Sequence, residues 1–262
     1  MKQATRKSLL AVFFGIAGLL TGCAHQSTVH NVDVPGLLSA IALDDTGRVR
    51  DVVESTGLGP NLRVPAPGYP DGAPLLTLAA REGSLDVMQY LLSSGADPNS
   101  RTPVGETAMM MAAFFSEDWE QGGTAHERHD RAVQLLLQAG ASLENEPYNY
   151  TPLGYAAYKG RENIMRFLIE HGARVDGDAY DGICYVNTPL MMAAIQGHYD
   201  AAMALLQAGA NARIRVVNGH TAAEFAAKYR HQRLANLLRC AEQLPPQAAF
   251  DGNCVRRSAA AW

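Results

Sequence analysis

The chain of 262 residues has no Gly-x-Ser-x-Gly turn and no phosphate-binding glycine loop, which removes two common signatures of hydrolase and nucleotide chemistry. It has no helix-turn-helix pattern and no aromatic-basic RNA motif. Apolar runs long enough to cross a bilayer are absent too. The run from Leu9 to Leu20 holds twelve apolar residues, two of them glycines. As a helix it would reach roughly 18 Å, against a hydrocarbon core of about 30 Å. Lys2, Arg6 and Lys7 precede it, so residues 1–22 are expected to be an export leader rather than a spanning helix. Basic residues are in deficit, 22 against 26 acidic ones. Without the three in the leader the balance is 19 to 26, a net charge of −7. That balance disfavours nucleic acid and anionic membrane surfaces and favours a partner with a basic patch.

What the chain does contain is a repeated phrase. Thr151-Pro152-Leu153 is followed by Ala156-Ala157, Phe167-Leu168 and Gly172. Thr188-Pro189-Leu190 is followed in the same order by Ala193-Ala194, Leu205-Leu206 and Gly209. Aligned on the Thr position, five units begin at Pro74, Thr107, Thr151, Thr188 and Thr221. Thr can cap a helix through its side-chain oxygen, and Pro fits the first helical turn. The paired alanines are small where helices approach closely. The leucine pairs Leu91-Leu92, Leu136-Leu137 and Leu205-Leu206 are expected to face the next unit. Gly95, Gly140, Gly172 and Gly209 stand where a second helix would end in a left-handed residue.

A unit of about 33 residues with this wording resembles the ankyrin repeat. The resemblance covers roughly Gly36 to Cys240 and implies an all-α ankyrin-repeat solenoid of about five to six stacked helix-turn-helix units with hairpin-like fingers. The expected organisation is a degenerate N-cap over 35–62, repeats starting near 72, 105, 149, 186 and 219 within a domain spanning 35–240, and a tail over 241–262. Counting back from Gly57-Leu58-Gly59-Pro60-Asn61 predicts N-cap helices near Leu37–Leu43 and Arg48–Ser55. In the last unit Arg239 and Glu242 replace the usual Leu and Gly, so it reads as the C-terminal cap.

Leu20-Thr21-Gly22-Cys23 resembles the lipobox of bacterial lipoproteins. The resemblance implies cleavage before Cys23 and acylation of its sulfur and new amino group, which would anchor the protein firmly. Ala24 stands where retained lipoproteins usually carry Asp, which implies the outer membrane, facing the periplasm. Ala24 to Val34 reads as a polar tether reaching at most about 40 Å. An exported chain meets an oxidising compartment, yet Cys184, Cys240 and Cys254 are odd in number. Cys240 and Cys254 flank a Pro-rich loop, and a bridge between them would staple the tail. The alternative is three free thiols.

Irregularities carry the functional clues, because stacking alone does not require them. The second unit has an insertion over Ser116 to Asp130, where Trp119 among carboxylates is either an interface anchor or, in a lengthened helix pair, tucked against its own repeat. His126 and His129 have a metal-like spacing, but no further ligand is evident and solvated side chains in a mobile insertion are the plainer reading. The connection from Gly172 to Thr188 carries Asp176, Asp178, Tyr180, Asp181 and Tyr185 without the spacing of a calcium loop. Ankyrin resemblance implies binding through finger tips and the concave face of the first helices. The residue pairs after each Ala-Ala would lie on that face: Arg81-Glu82, Phe114-Phe115, Tyr158-Lys159, Ile195-Gln196 and Lys228-Tyr229. Glu144, Glu146, Tyr148 and Tyr150 join them from the fingers. Tyrosine offers large contact area with few torsions to freeze, and the carboxylates would steer a basic partner.

No catalytic residue, metal or cofactor is expected. The expectation is a periplasmic binding module. It resembles membrane-anchored immunity proteins that sterically block secreted antibacterial effectors such as type VI lipases. It is also similar to periplasmic scaffolds that support an envelope or oxidative-stress enzyme such as catalase.

Overall fold

The computed structural model describes residues 32–115, 124–144, 150–177, 183–184, 187–217, 219–244 and 254. Asp33–Trp262 forms one compact unit, apart from Met1–Val32. Its elements come in pairs of short helices. Helices α1 (Val34–Ala42) and α2 (Thr46–Thr56) open the unit, ahead of a hairpin of β1 (Arg63–Ala66) and β2 (Tyr69–Pro74). Then come α3 (Leu75–Glu82) with α4 (Leu85–Ser93), α5 (Ala108–Phe114) with α6 (Thr124–Gln138), and α7 (Pro152–Lys159) with α8 (Glu162–Glu170). After β3 (Ile183–Cys184) stand α9 (Pro189–Gln196) and α10 (Tyr199–Gln207), then β4 (Arg215–Val216), α11 (Ala222–Lys228) and α12 (Gln232–Gln243).

Each first helix packs on the first helix of the next pair, and each second helix on the next second helix, so the pairs stack in two layers. The first-helix layer is lined by Ala79-Ala80, Ala112-Ala113, Ala156-Ala157 and Ala193-Ala194, all fully buried. The second layer buries Leu91, Leu136, Leu168 and Leu205 completely, while Leu92 and Leu137 are only half-buried. In those two leucine pairs it is therefore the first leucine that fills the seam.

The ends of the helices follow from their residues. Thr107, Thr151, Thr188 and Thr221 each accept a backbone N–H three positions on, and Thr221 with Glu224 completes a reciprocal capping box. Pro74 has no such side chain, and its helix starts without a side-chain cap. Gly95, Gly140, Gly172 and Gly209 adopt φ between 84° and 97° after the second helices. The loops beyond them are stitched from unit to unit. Asn61 donates to Gly95 O (3.2 Å) and accepts from Asp97 N (2.8 Å). Asn99 repeats this one unit on, with Gly140 O (3.1 Å) and Ser142 N (2.7 Å). Glu144 and Asp176 continue the series by accepting from Arg174 N (2.7 Å) and Asn211 N (2.9 Å).

The fold is mostly helical, and in the connections β1 pairs antiparallel with β2 and β3 pairs in parallel with β4. Two expectations need correction. The first two helices start earlier than counted, at Val34 and Thr46, because Asp33 and Asp45 cap them through their carboxylates. The insertion does not run to Asp130. Residues from Thr124 onward belong to α6, because His129, Ala132, Val133 and Leu136 recur at helical spacing and all are buried. His129 is thus a core residue and not a solvated one. The side chain of His126 lies outside the described residues, as does Cys23.

Candidate functional site

The C-terminal ends of the first helices present one pair of side chains per unit along the same edge of the stack. Arg81 and Glu82 are ion-paired at 2.9 Å, and Arg81 also donates to Pro67 O at 3.2 Å. In the next unit the Phe114 and Phe115 rings meet edge to face at 4.9 Å, with Phe115 37% exposed. Tyr158 stacks on Phe114 with centroids 6.0 Å apart and hydrogen-bonds the Gln196 side chain of the following unit. Tyr229, 43% exposed, closes the row. Burial raises the Tyr158 pKa above its ordinary value, and the nearby Tyr229 phenol adds to the rise because two phenolate charges would repel. Lys159 sits over the Phe114 ring at 4.9 Å and Lys228 over the Tyr229 ring at 5.9 Å. The result is an aromatic strip with lysines at its margin.

The backbone of this strip is pinned from beneath. His129 Nε2 lies 3.1 Å from Arg81 O, His198 Nε2 3.0 Å from Tyr158 O, and His231 Nε2 3.2 Å from Ile195 O. Arg161 Nη1 donates to Phe115 O at 3.4 Å and, by Nη2, pairs with Asp130 at 3.1 Å. Ser84 Oγ does the same for Ile41 O at 2.6 Å. At four of five junctions the accepting carbonyl therefore belongs to a strip residue. Three of the clamps crowd the glycine opposite. A Cβ on Gly83 would lie 3.0 Å from His129 Cε1, one on Gly160 2.8 Å from His198 Nδ1, and one on Gly197 would overlap His231. Sequence reasoning missed this row, although Ser84, Arg161, His198 and His231 each stand three positions after the first residue of a strip pair.

A second support was also missed. Glu106 accepts from Tyr69 OH at 2.6 Å through one oxygen and from Tyr155 OH at 3.0 Å through the other. Burial, with the Glu106 charge adding to it, pushes both phenols far above their ordinary pKa. Tyr155 in turn meets Phe114 edge to face at 5.4 Å and Tyr150 at 6.1 Å. Glu106 thus fixes the aromatic wall behind the strip. Glu106→Leu leaves two tyrosine hydroxyls without their acceptor and is expected to cost about 2 kcal/mol. Urea unfolding of the variant checks it, and an unchanged midpoint would mean water replaces the carboxylate.

Of the residues expected to bind a partner, Phe114, Tyr158, Ile195 and Tyr229 lie on the strip, and Tyr150 stands beside it. Ile195 and Tyr150 are half-buried. Glu144 is occupied by the stitch to Arg174, including an ion pair at 3.4 Å. Trp119, Glu146, Tyr148, Asp178, Tyr180, Asp181 and Tyr185 lie outside the described residues. Cys240 and Cys254 are joined by a disulfide, with Cα atoms 5.5 Å apart. Among the described residues no group of His, Cys, Asp and Glu could hold a metal ion, and no helix is long and apolar enough to cross a membrane.

Stacked helix pairs with a row of aromatic side chains along one edge define a helical-repeat interaction scaffold. The family model described as ankyrin repeats, in three copies, matches residues 76–179 and 180–245, more than half of the chain. The chain belongs to the ankyrin-repeat family, and ankyrin repeats form protein-binding modules that are in general not enzymes. Curated relatives include a mitochondrial disaggregase of Bos taurus, 30% identical over 68% of this chain and 24% of that protein. A probable E3 ubiquitin-protein ligase of Oryza sativa subsp. japonica is 30% identical over 52% of this chain and 31% of its own length. An ankyrin repeat and KH domain-containing protein of Caenorhabditis elegans is 32% identical over 52% of this chain and 5% of its length. The chain spans less than a third of each of these relatives.

Proposed function

We propose that this chain is an exported, lipid-anchored ankyrin module that grips a protein in the periplasm through the strip from Phe114 to Tyr229. The observation that carries the binding role is the strip itself: four aromatic rings from three units, held by carbonyl clamps and by Glu106. Large rigid side chains on a pre-ordered backbone lose little entropy on binding. Export rests on the basic start, the apolar run and Leu20-Thr21-Gly22-Cys23, with a leader over 1–22 and a lipidated tether over 23–34. The Cys240–Cys254 disulfide suits an oxidising compartment and supports this reading. The repeats then occupy 35–240 and the tail 241–262.

Within that setting the favoured role is immunity: the strip covers the active-site mouth of an incoming antibacterial effector such as a type VI lipase. The anchor keeps the inhibitor at the membrane the effector attacks. The chain's net acidity and the finger residues Glu146, Asp178 and Asp181 would steer a basic patch of that partner. A scaffold for an envelope or oxidative-stress enzyme such as catalase is the other setting, served by the same fold.

The test is capture from periplasm with the full chain, identification of the bound protein, and its inhibition assay. Phe115→Ala with Tyr229→Ala removes two exposed rings and is expected to weaken the captured complex about tenfold or more, with the thermal midpoint nearly unchanged. Equal affinity in the double variant removes the strip as the binding face. Inhibition of the captured protein favours immunity, and activation or stabilisation of it favours the scaffold. Cys23→Ser is expected to shift the protein from membrane to soluble fractions; persistent membrane fractionation would argue against lipidation.

A further inference from the structure

The first helix of the stack is built unlike an end helix. A terminal unit has a neighbour on one side only, and a polar outer face keeps such a stack soluble. Helix α1 turns Leu37, Ala40 and Ile41 inward against the next unit. Its opposite side carries Pro35, Leu38, Ser39 and Ala42, and no residue of Val34–Ala42 is charged. Pro35, Ser39 and Ala42 are exposed and Leu38 is half-buried. Leu43, which ends the helix, is 77% exposed. The turn that displays it is fastened. Leu43 N and Asp44 N donate to Ser39 O and Ile41 O at 3.0 Å each. Asp44 has a φ of 56°, uncommon for a residue with a side chain, and its carboxylate accepts Asp86 N (3.2 Å) and Val87 N (2.9 Å) of the next unit. Ser84 Oγ of that unit donates to Ile41 O at 2.6 Å. A strained turn with three bonds to its neighbour thus holds a leucine out in solvent. The carboxylates that flank α1 are turned onto helix N–H groups, Asp33 on Gly36 and Asp45 on Arg48, at 3.1 Å each.

We infer that the outer face of α1, with Leu43 at its rim, rests on the lipid surface to which Cys23 is anchored. This deepens the lipid-anchor reading above and rests on it. Nine residues, Ala24 to Val32, join Cys23 to Asp33 and reach at most about 35 Å. They include no Asp, Glu, Lys or Arg, so the tether brings no formal charge to the interface. Helix α1 is the first element beyond it. A short tether keeps α1 at a high effective concentration beside the bilayer, so a weak apolar contact is enough. A second copy of the chain fits the face less well. A nine-residue helix covers about 14 Å by about 10 Å, so two such faces would bury about 300 Å² together, against about 1,200 Å² for a stable pair. A bilayer sets no such threshold on an anchored chain. With α1 on the lipid, the later units stand progressively further out. Phe115 lies two pairs beyond α1 and Tyr229 five, about 16–20 Å and about 40–50 Å at ordinary helix-packing distances. The aromatic strip then runs away from the membrane, and its near end is the first part a partner at the bilayer would meet.

The experiment places the full acylated chain in phosphatidylcholine vesicles, with Cys184→Ser and a nitroxide label on one new cysteine, Leu43→Cys or Val217→Cys. No reductant is added, so the Cys240–Cys254 bridge stays closed. Relaxation of the label by oxygen and by a water-soluble nickel chelate reads its depth. The Leu43 label is expected about 5–10 Å into the headgroup and acyl boundary, and the Val217 label, at a site 65% exposed, in water. High salt should leave the Leu43 depth unchanged, because the contact is apolar. Ser39→Asp with Ala42→Asp puts two charges on the outer face at exposed positions. It should move the Leu43 label into water while the chain stays in the membrane fraction and its thermal midpoint barely shifts. A Leu43 label in water before those substitutions overturns the inference, as does one that stays in lipid after them. So does entry into lipid only when phosphatidylglycerol is added, which would mark an ionic contact. Dipolar broadening between labels on two chains overturns it too, and assigns the face to a second copy. If Cys23 of chain isolated from membranes carries no acyl group, the anchor reading fails and the inference with it. If Cys23 is acylated and the Leu43 label stays in water, the inference alone fails.

Discussion

Replacing Cys240 and Cys254 together by serine is expected to destabilise the C-terminal end of the stack by about 3 kcal/mol. The figure comes from loop closure. The bridge joins residues 14 positions apart, and a loop of about 15 residues contributes roughly 3 kcal/mol by restricting the unfolded chain. Position in the fold decides how that loss appears. An end unit of a linear stack has a neighbour on one side only, so it frays before the middle does. Here α12 is held at its end by the disulfide and by Arg213, which donates to Glu242 O at 2.7 Å and to Leu244 O. Without the bridge, hydrogen exchange should accelerate first over α11 and α12 while α3 and α4 keep their protection. Added reductant should reproduce the effect in the unaltered protein. Identical unfolding curves for the oxidised and the double-serine proteins would show that the clasp restricts nothing.

Gly197→Ala is expected to cost about 2–3 kcal/mol, divided between two causes that a double-mutant cycle separates. Gly197 has φ +78°, where a side chain costs roughly 1–2 kcal/mol. The added methyl would also overlap the His231 ring, and pushing that ring aside forfeits its contact with Ile195 O, worth about 1 kcal/mol. In a His231→Ala background the methyl meets no ring. Gly197→Ala should then cost only its backbone share, leaving a coupling of about 1 kcal/mol. Strict additivity of the two substitutions would mean that glycine serves the backbone alone.

These two sites also show what could be read from the amino-acid order. Helix caps, closing glycines and paired alanines are local and periodic, so Thr151, Thr188, Gly172 and Ala193-Ala194 announced their places. The strip followed from the same register. Glu106 did not, because Tyr69 and Tyr155 lie 37 and 49 positions away and Tyr69 sits in a hairpin that breaks the repeat wording. His129 was misplaced for a related reason. Its unit is lengthened, so counting from the Thr assigned it to the insertion, whereas the apolar spacing 129, 132, 133, 136 already continued the helix. Ser84, Arg161, His198 and His231 were overlooked because three residue types do one job. Each needs only a donor that reaches a carbonyl, which no letter pattern reveals.

The same indifference to residue type bears on how such a surface changes over generations. Arg81, Phe115, Tyr158 and Ile195 are clasped by their main-chain oxygens, and an oxygen of the main chain is present whatever side chain grows from it. Substitution at these four positions alters the chemistry of the edge while the clasp stays as it is. One set of side chains can be exchanged for another without rebuilding the frame.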